Sequence, residues 1–234
     1  MDDPEDGAAQ PPRRNLYGRR HGKKLKPSQR RLIEELLPRL RIPGVSPEEN
    51  PGRAPLAPPF ADGRPLWLEI GFGAGEHLVH QAAAHPETGF LGCEPFVNGV
   101  GMALVRIAAA GLDNVRLHPG DARDLIDLLP EAALARTFLL YPDPWPKARH
   151  HRRRFASTEN LAALHRVMAP GAELRLATDI PDYARHALEA VAAAPGFAVL
   201  SVTDAPWPGW PGTRYEAKAR AAGRRPQYLT FRRV

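Results

Sequence analysis

The sequence lacks several features that mark whole classes of protein. It contains one cysteine in 234 residues, which excludes an intramolecular disulfide framework and a zinc or iron–sulfur site built from several cysteines. No apolar run approaches the roughly 18 residues of a membrane-spanning helix. The first ten residues, MDDPEDGAAQ, are acidic and carry no apolar stretch, so they are unlike a secretory signal. We therefore expect a cytoplasmic protein without a membrane partner.

Positive charge is unevenly distributed along the chain. The formal net charge is +6, yet residues 13–41 alone hold eleven Lys/Arg and two acids. Two further basic runs are residues 147–154, with five Lys/Arg and no acid, and residues 214–234, with seven Lys/Arg and one acid. Basic runs on an otherwise acidic body favour a polyanionic partner, because each neutralised phosphate releases a counterion.

The proline content divides the chain into three parts. Residues 1–42 form a basic N-terminal arm whose acidic start, residues 1–12, is predicted to be disordered. Within the arm, Ser28 is predicted to cap a short helix over 29–41 that Pro38 shortens or bends. Residues 43–65 contain seven prolines and are predicted to be a semi-rigid linker. Residues 66–234 form the main domain.

From residue 66 onward, predicted strands alternate with predicted helices. The strands are 65–70, 90–94, 115–119, 137–141, 173–178, 197–202 and 227–233, and the helices are 76–85, 97–110, 122–129, 158–168 and 181–194. This alternation predicts a Rossmann-like α/β fold, with a doubly wound, mostly parallel sheet of seven strands. Ligands of such sheets bind beyond the carboxyl ends of the strands, so the segments that follow strands one to five are the informative ones.

A glycine-rich turn, EIGFGAGE, joins the first strand to the first helix and places Glu69 before Gly71, Gly73 and Gly75. Closely spaced glycines let the backbone approach a ligand. The third glycine comes one residue too early for the dinucleotide pattern G-x-G-x-x-G, which argues against a nicotinamide dehydrogenase. An acid before G-x-G-x-G is typical of S-adenosylmethionine methyltransferases, since a carboxylate attracts that ligand's ammonium group and would repel a pyrophosphate.

Two further acids follow the next two strands. Glu94 lies 19 positions after Gly75, the spacing of an acid that binds ribose hydroxyls. Asp121 follows the third strand, where a carboxylate can accept a hydrogen bond from an adenine amino group. Each acid alone is more typical of a helix cap or a surface charge, but three acids at three successive strand ends favour a nucleoside ligand.

The loop after the fourth strand reads YPDPWPKARHHRRR over residues 141–154. Its three prolines fix φ, so we expect a stiff loop that holds Asp143 and Trp145 at the mouth of the site. Trp145 offers a ring on which a base can stack. The side chains that follow offer contacts to phosphates, namely Lys147, Arg149, His150, His151, Arg152, Arg153 and Arg154.

The single cysteine and three histidines of one helix are predicted to have structural rather than catalytic or metal-binding roles. Cys93 lies among apolar residues of the second strand and is predicted to be a buried, unreactive thiol. His77, His80 and His85 share the first helix of the domain, where a polar helix face is favoured over a metal site. We expect no bound metal.

Together these motifs resemble the bacterial tRNA (guanine-N7-)-methyltransferases of the TrmB type. The resemblance is carried by EIGFGAGE (69–76), GCEP (92–95), PDPWPKAR (142–149), ATD (177–179) and TRYE (213–216), followed by Gly223 and Tyr228–Phe231. The combination of PDPWPK with the later T-x-Y-E is specific to that family, whereas the glycine turn is not. Ala148 stands where the family commonly has a basic residue.

The resemblance implies the fold of class I S-adenosylmethionine-dependent methyltransferases and methyl transfer to N7 of a guanosine in the variable loop of tRNA. It implies cofactor contacts at Glu69, Gly71, Gly73, Gly75, Glu94, Asp121 and Asp143. Asp143 is also the family's catalytic position. Guanosine contacts are implied at Lys147, Asp179, Thr213, Arg214, Tyr215 and Glu216, and RNA contacts at Trp145, Arg149, His150, His151, Arg152, Arg153 and Arg154.

Other functions stay open at the level of sequence. Methyltransferases that act on exocyclic amines carry an acidic or Asn residue followed by Pro-Pro-aromatic after strand four, and Asp143-Pro144-Trp145 is close to that element. A non-catalytic tRNA-binding subunit with a vestigial cofactor fold is the alternative from another class. No obligate protein partner is evident, and we expect a monomer or a homodimer.

Overall fold

The computed structural model describes residues 15–194 and 196–234, so the predicted disorder of residues 1–12 lies outside the described residues. Seven strands form one sheet: β1 (Leu66–Ile70), β2 (Gly89–Cys93), β3 (Val115–His118), β4 (Leu134–Leu140), β5 (Met168–Thr178), β6 (Phe197–Thr203) and β7 (Gln227–Arg233). Eight α-helices accompany them: α1 (Pro27–Glu35), α2 (Leu37–Leu40), α3 (Glu76–Ala84), α4 (Val97–Ala110), α5 (Ala122–Ile126), α6 (Thr158–Val167), α7 (Pro181–Ala193) and α8 (Arg214–Ala221).

The strands lie in the order β3-β2-β1-β4-β5-β7-β6. The first five strands in this order pair in parallel, whereas β7 pairs antiparallel with both β5 and β6. The predicted doubly wound, mostly parallel sheet of seven strands is therefore confirmed. The strand order reverses between β1 and β4, which is where sheets of this kind leave a crevice for a ligand.

Apolar side chains on the two faces of the sheet build separate cores. On one face, Leu68 and Ile70 of β1 join the buried residues of α5, α6 and α7. On the other face, Phe90 of β2 packs with α2, α3 and α4. Gly92 keeps α3 close to the sheet, because an added Cβ would meet the Leu78 side chain at 2.9 Å.

The short helix near the N-terminus differs from its prediction. Pro27 begins α1, so Ser28 lies inside the helix and Lys26 is the residue before it. The Gln29 side chain accepts a hydrogen bond from the Lys26 backbone N–H at 3.0 Å. The predicted bend is present as a break at Leu36, after which Pro38 stands in the first turn of α2.

The proline-rich segment 43–65 packs against the sheet, although the sequence predicts a linker. It contains no helix or strand, yet Val45 and Phe60 are buried in the same core as β1 and β4. The Phe60 ring lies beside Gly89, and the Arg116 guanidinium lies 4.5 Å from the ring centroid. Apolar residues between the prolines therefore decide the position of this segment.

One helix, α8, is missing from the sequence-based prediction. Its N-cap is Thr213, whose side chain accepts from the Glu216 N–H at 3.1 Å, so TRYE matches the Ser/Thr-x-x-Glu pattern that begins helices. The loop before α8 carries Trp207 and Trp210, which cover an apolar cluster formed by Phe138, Leu140, Ala177 and Tyr228. Among the residues that the structure describes, no helix combines the length and apolar character needed to cross a membrane.

The packing of segment 43–65 predicts a stability effect. Phe60→Ala should lower the free energy of unfolding by about 3 kcal/mol, because it opens a cavity in the core, and chemical denaturation measures it. Pro55→Ala, at an exposed position of the same segment, is the control and should leave the unfolding midpoint almost unchanged. Equal midpoints for the two variants would mean that the segment is a spacer.

Candidate active site

A cavity of about 380 Å³ opens at the carboxyl ends of β1 to β4, where the strand order reverses. Five residues predicted from sequence to bind the cofactor line it, namely Gly71, Gly73, Glu94, Asp121 and Asp143. Trp145 and Tyr215 line it as well. The structure thus brings together residues that are up to 144 positions apart in sequence. Parallel strands place the residues from Gly71 to Trp145 at one edge of the sheet, and the start of α8 adds Tyr215.

The glycine-rich turn supplies the floor of the cavity near β1. Gly71, Gly73 and Gly75 all have positive φ, at 72°, 58° and 78°, which favours glycine at each position. Gly75 does not line the cavity. It permits α3 to pack on α4, because a Cβ there would meet Ala103 at 2.8 Å.

Glu94 is buried and fixes the shape of this turn. One carboxylate oxygen accepts from the Gly73 N–H at 2.7 Å, and the other accepts from the Phe96 N–H at 2.9 Å. Burial raises the pKa of Glu94, since the two backbone hydrogen bonds offset only part of the lost solvation. Each carboxylate oxygen keeps a second lone-pair direction for a ligand hydroxyl.

Asp121 stands at the end of β3 as the N-cap of α5. Its carboxylate accepts from the Arg123 N–H at 3.0 Å and pairs with the Arg123 guanidinium. The same guanidinium donates to the Asn15 carbonyl at 3.1 Å, so the Asp121–Arg123 pair also contacts the N-terminal arm.

Glu69 does not line the cavity. Its side chain is buried, and one oxygen lies 2.7 Å from His77 Nδ1. The interpretation of His77 as part of a polar helix face is wrong, since only 2% of its surface is exposed.

Cys93 is buried as predicted, and burial raises the pKa of its thiol well above the ordinary value. No three metal-ligating side chains meet anywhere in residues 15–194 and 196–234.

Two residues of the loop after β4 adopt strained backbone conformations. Tyr141 and Trp145 have φ of 48° and 43°, values that non-glycine residues rarely adopt and that cost on the order of 1 kcal/mol or more. Each precedes a proline, which restricts its conformation further. Between them, Asp143 is exposed and accepts no hydrogen bond from the residues that the structure describes. Among the described residues, the loop therefore presents the Asp143 carboxylate without a hydrogen-bond partner on a stiff backbone.

The ring of Trp145 is already in contact with the protein's own side chains. The Arg153 guanidinium lies 4.8 Å from the Trp145 ring centroid and 4.5 Å from that of Tyr17. Tyr17 and Trp145 meet edge to face with centroids 6.1 Å apart. A base that stacks on Trp145 thus has to displace one of these neighbours or use the other face of the ring.

The N-terminal arm forms one wall of the cavity, a placement that the sequence did not predict. Residues 16–19 line it. The Arg20 carbonyl accepts from the Val97 N–H at 3.0 Å. Asn98 binds the arm through both ends of its amide, accepting from the Gly22 N–H at 2.7 Å and donating to the Lys23 carbonyl at 2.6 Å. Charge alone predicted RNA contacts for this segment and gave no signal for its position.

The structure corrects the predicted RNA contact of Arg154, because its guanidinium is buried. Nε donates to the Pro144 carbonyl at 2.9 Å, and Nη2 pairs with the Asp182 carboxylate at the start of α7. The guanidinium also lies 5.3 Å from the Tyr183 ring centroid. Hydrogen bonds from Arg154 and Arg185 lower the pKa of Asp182 to about 2. Arg154 therefore anchors the loop that carries Asp143 and Trp145.

The remaining RNA candidates are more accessible. Lys147, Arg149 and Arg152 are exposed, and His150, His151 and Arg153 are half-buried. They belong to or flank the 3₁₀-helix Ala148–Arg153. Partial burial lowers the pKa of His150, and the neighbouring cations lower it further.

The side chains implied to contact guanosine are largely engaged within the chain. Asp179 pairs with Arg224. The carboxylate of Glu216 accepts from Trp210, Arg220 and Tyr228. Burial alone would raise the pKa of Glu216, but these three hydrogen bonds outweigh it and leave the pKa lowered.

Arg214 and Tyr215, at the start of α8, lie next to the glycine-rich turn. An added Cβ on Gly73 would lie 3.5 Å from the Tyr215 ring and 3.6 Å from the Arg214 guanidinium. Arg214 Nη2 donates to the Tyr215 hydroxyl at 3.1 Å. The two residues thus adjoin the cavity, whereas Thr213 caps the helix behind them.

Comparison with known proteins identifies close relatives. Residues 63–228 match the protein family described as "Putative methyltransferase". The chain is 60% identical over 225 residues to the tRNA (guanine-N(7)-)-methyltransferase of Paracoccus denitrificans, covering 95% of this chain and 96% of the relative. It is 58% identical to the protein of that name from Cereibacter sphaeroides, covering 97% and 95%, and 48% identical to that from Rhodospirillum rubrum, covering 93% and 87%.

Solved structures with the same fold are more distant in sequence. TrmN from Thermus thermophilus has a TM-score of 0.53 at 21% identity, over 74% of this chain and 46% of that chain. The 16S rRNA methyltransferase KamB has a TM-score of 0.51 at 17% identity, over 73% and 88%. The [4+2]-cyclase SpnF has a TM-score of 0.51 at 18% identity, over 74% and 76%. Because this set includes a cyclase, it supports the fold alone.

The position of Arg154 predicts an effect on stability. Arg154→Ala should lower the free energy of unfolding by about 3 kcal/mol, because it leaves the Pro144 carbonyl without its donor and removes the buried one of the two arginines that pair with Asp182. Arg152→Ala, an exposed cation two residues away, is the matched control and should change stability by less than about 0.5 kcal/mol. Urea denaturation of both variants measures the difference, and equal stability would contradict the anchoring role.

Proposed function

The chain belongs to the family of tRNA (guanine-N7-)-methyltransferases, and we propose that it transfers a methyl group from S-adenosylmethionine to N7 of a guanosine in the variable loop of tRNA. The observation that carries the proposal is the cavity at the β1/β4 crossover point. Its wall combines the glycine-rich turn, two acids at the ends of β2 and β3, and the loop of Asp143. A protein that acts on tRNA in this way would work in the cytoplasm.

The residues of the cavity fit the cofactor. Glu94, Asp121 and Asp143 offer acceptors for ribose hydroxyls, an adenine amino group and an ammonium group. A phosphate-bearing dinucleotide fits this set of carboxylates less well, because like charges repel. The positive φ values of Gly71 and Gly73 leave their backbone open to a ligand. When bound, S-adenosylmethionine supplies an electrophilic methyl group on a sulfonium sulfur.

The protein's task in this reaction is alignment rather than proton removal. N7 of guanine has a free lone pair, so no general base is needed. Holding nitrogen, methyl carbon and sulfur in line makes the reaction effectively unimolecular. The strained, proline-bounded loop and its Arg154 anchor keep Asp143 in a fixed place. Rigidity of this kind supports alignment.

Asp143 is the acid that we assign to the guanine, in addition to its contact with the cofactor. It lines the cavity, is exposed, and has no hydrogen-bond partner among the described residues. Its carboxylate can accept from N1–H and from the N2 amino group, which selects guanine over adenine and stabilises the positive charge that the base gains. Asp179 has the same chemistry, but its carboxylate is paired with Arg224.

Lys147 and Tyr215, which the resemblance also implies to contact the substrate, lie where such contacts can form. Lys147 is exposed within the loop, where it can meet a phosphate, and Tyr215 lines the cavity. Glu94 and Asp121 are proposed cofactor residues that the chain itself has already oriented by hydrogen bonds. The contacts of Glu69, Thr213, Arg214 and Glu216 with ligands stay predictions.

A methyl-transfer assay tests the proposal directly. Purified protein, labelled S-adenosylmethionine and unmodified tRNA are incubated, and the tRNA is digested to nucleosides. Label in 7-methylguanosine supports the cofactor, the substrate class and the target atom together. Label in another nucleoside would overturn the target atom, and tRNA binding without label would favour a non-catalytic binding subunit.

Replacing the proposed guanine-reading acid should abolish most turnover. Asp143→Ala is expected to lower kcat at least about 100-fold, the typical effect of removing one oriented electrostatic interaction. The melting temperature should not fall, because the side chain is exposed and unpaired. Asp204→Ala removes an exposed acid after β6 and serves as the control in the same steady-state assay of methyl transfer. Turnover like that of the unchanged protein would reject the role of Asp143.

The basic arm should contribute to tRNA binding through charge. Lys23→Ala combined with Lys24→Ala removes two exposed cations and keeps the backbone hydrogen bonds of the arm with Asn98. The slope of log K against log salt should fall by about 1 for each phosphate that is no longer neutralised. Arg232→Ala is the control, since the register of β5 with β7 places Arg232 opposite Glu173, away from the cavity edge. Filter binding at several salt concentrations measures both, and an unchanged slope would argue against binding of RNA by the arm.

A further inference from the structure

His77 is a buried titratable side chain that the proposed reaction does not use. It is the second residue of α3, and its Nδ1 lies 2.7 Å from Glu69 Oε2. Both side chains are almost fully buried, at 2% and 4% relative exposure. A carboxylate only accepts hydrogen bonds, so His77 Nδ1 carries the hydrogen and donates it.

The position of the Glu69–His77 pair in the chain explains how the pair holds the glycine-rich turn. Glu69 is the last residue but one of β1, and His77 follows the first residue of α3. The glycine-rich turn lies between them, so the hydrogen bond joins the two ends of that turn. Glu94 holds the middle of the same turn through the Gly73 N–H. The turn is thus fixed at three points around the backbone that lines the cavity.

The His77 ring also connects the turn to α8. It packs against Phe138 with centroids 4.6 Å apart and against Trp210 at 5.1 Å. Trp210 Nε1 donates to the Glu216 carboxylate, and Glu216 lies next to Tyr215, which lines the cavity. A shift of the His77 ring would therefore displace residues on two walls of the cavity, because close-packed interiors transmit strain.

We propose that His77 is a positioning residue for the cofactor: its hydrogen bond to Glu69 holds the glycine-rich turn in the shape that receives S-adenosylmethionine. The inference rests on the proposed function. It assigns to Glu69 a role in holding the turn, in agreement with its burial away from the cavity. The alternative is that the ring of His77 only fills space between Phe138 and Trp210.

Two substitutions separate the hydrogen bond from the packing. His77→Asn keeps an N–H donor close to the place of Nδ1 and loses most of the ring. His77→Phe keeps the ring between Phe138 and Trp210 but leaves Glu69 buried without a donor. His80→Phe changes an exposed histidine of the same helix and is the matched control.

The readout is the affinity for S-adenosylhomocysteine, the product form of the cofactor, measured by isothermal titration calorimetry. His77→Asn should bind within about threefold of the unchanged protein, and His77→Phe at least tenfold more weakly. His80→Phe should bind normally. Normal affinity of His77→Phe, or equal losses in both His77 variants, would overturn the proposal.

A second variant keeps the test informative if His77→Phe fails to fold. His77→Phe with Glu69→Met removes both polar partners, and such apolar replacements are often tolerated. We expect this protein to fold and still to bind S-adenosylhomocysteine at least tenfold more weakly. A folded double variant with normal affinity would overturn the proposal.

Assays of the unchanged protein distinguish a failure of the role of His77 from a failure of the proposed function. If it binds S-adenosylhomocysteine and methylates tRNA while His77→Phe binds equally well, the role of His77 fails and the proposed function stands. If the unchanged protein does not bind S-adenosylhomocysteine, the proposed function fails, and the role of His77 fails with it.

Discussion

Carboxylates gathered at one edge of a sheet repel one another, and the structure depends on how each of them is paired. Glu94 is held by two backbone N–H groups, and Asp121 by Arg123. Buried acids farther from the cavity are paired with side chains, as in Glu69 with His77. Asp143 is different, because the described chain offers its carboxylate no hydrogen bond. The network of paired acids thus builds the site and leaves one acid for a ligand.

The loop that carries Asp143 is rigid for reasons that lie partly outside the loop. Its prolines limit φ, and the unusual conformations of Tyr141 and Trp145 need support from their surroundings. Arg154 supplies such support by joining the Pro144 carbonyl to Asp182 of α7. An arginine within a basic run therefore has a structural function, while its exposed neighbours Arg149 and Arg152 keep the charge that suits RNA.

Segments outside the sheet complete the cavity. The N-terminal arm contributes Tyr17, and the start of α8 contributes Tyr215. Each is positioned by residues far away in sequence, the arm through Asn98 and α8 through the hydrogen bonds of Glu216. A sheet of this kind hosts several chemistries, as its likeness to both methyltransferases and a cyclase illustrates. The walls of the cavity therefore come from the N-terminal arm and α8 as well as from the sheet.

The sequence by itself determined the sheet, the glycine-rich turn and the acids at the strand ends, because strand–helix alternation and glycine spacing are local patterns. It also determined the family, through PDPWPK and TRYE. Tertiary structure alone decided which charged groups are free, since burial and pairing depend on residues distant in the chain. Arg154 and His77 look polar and exposed in sequence, yet both are buried. The proline-rich segment 43–65 packs for the same reason: its few apolar side chains find a core that no local pattern reveals.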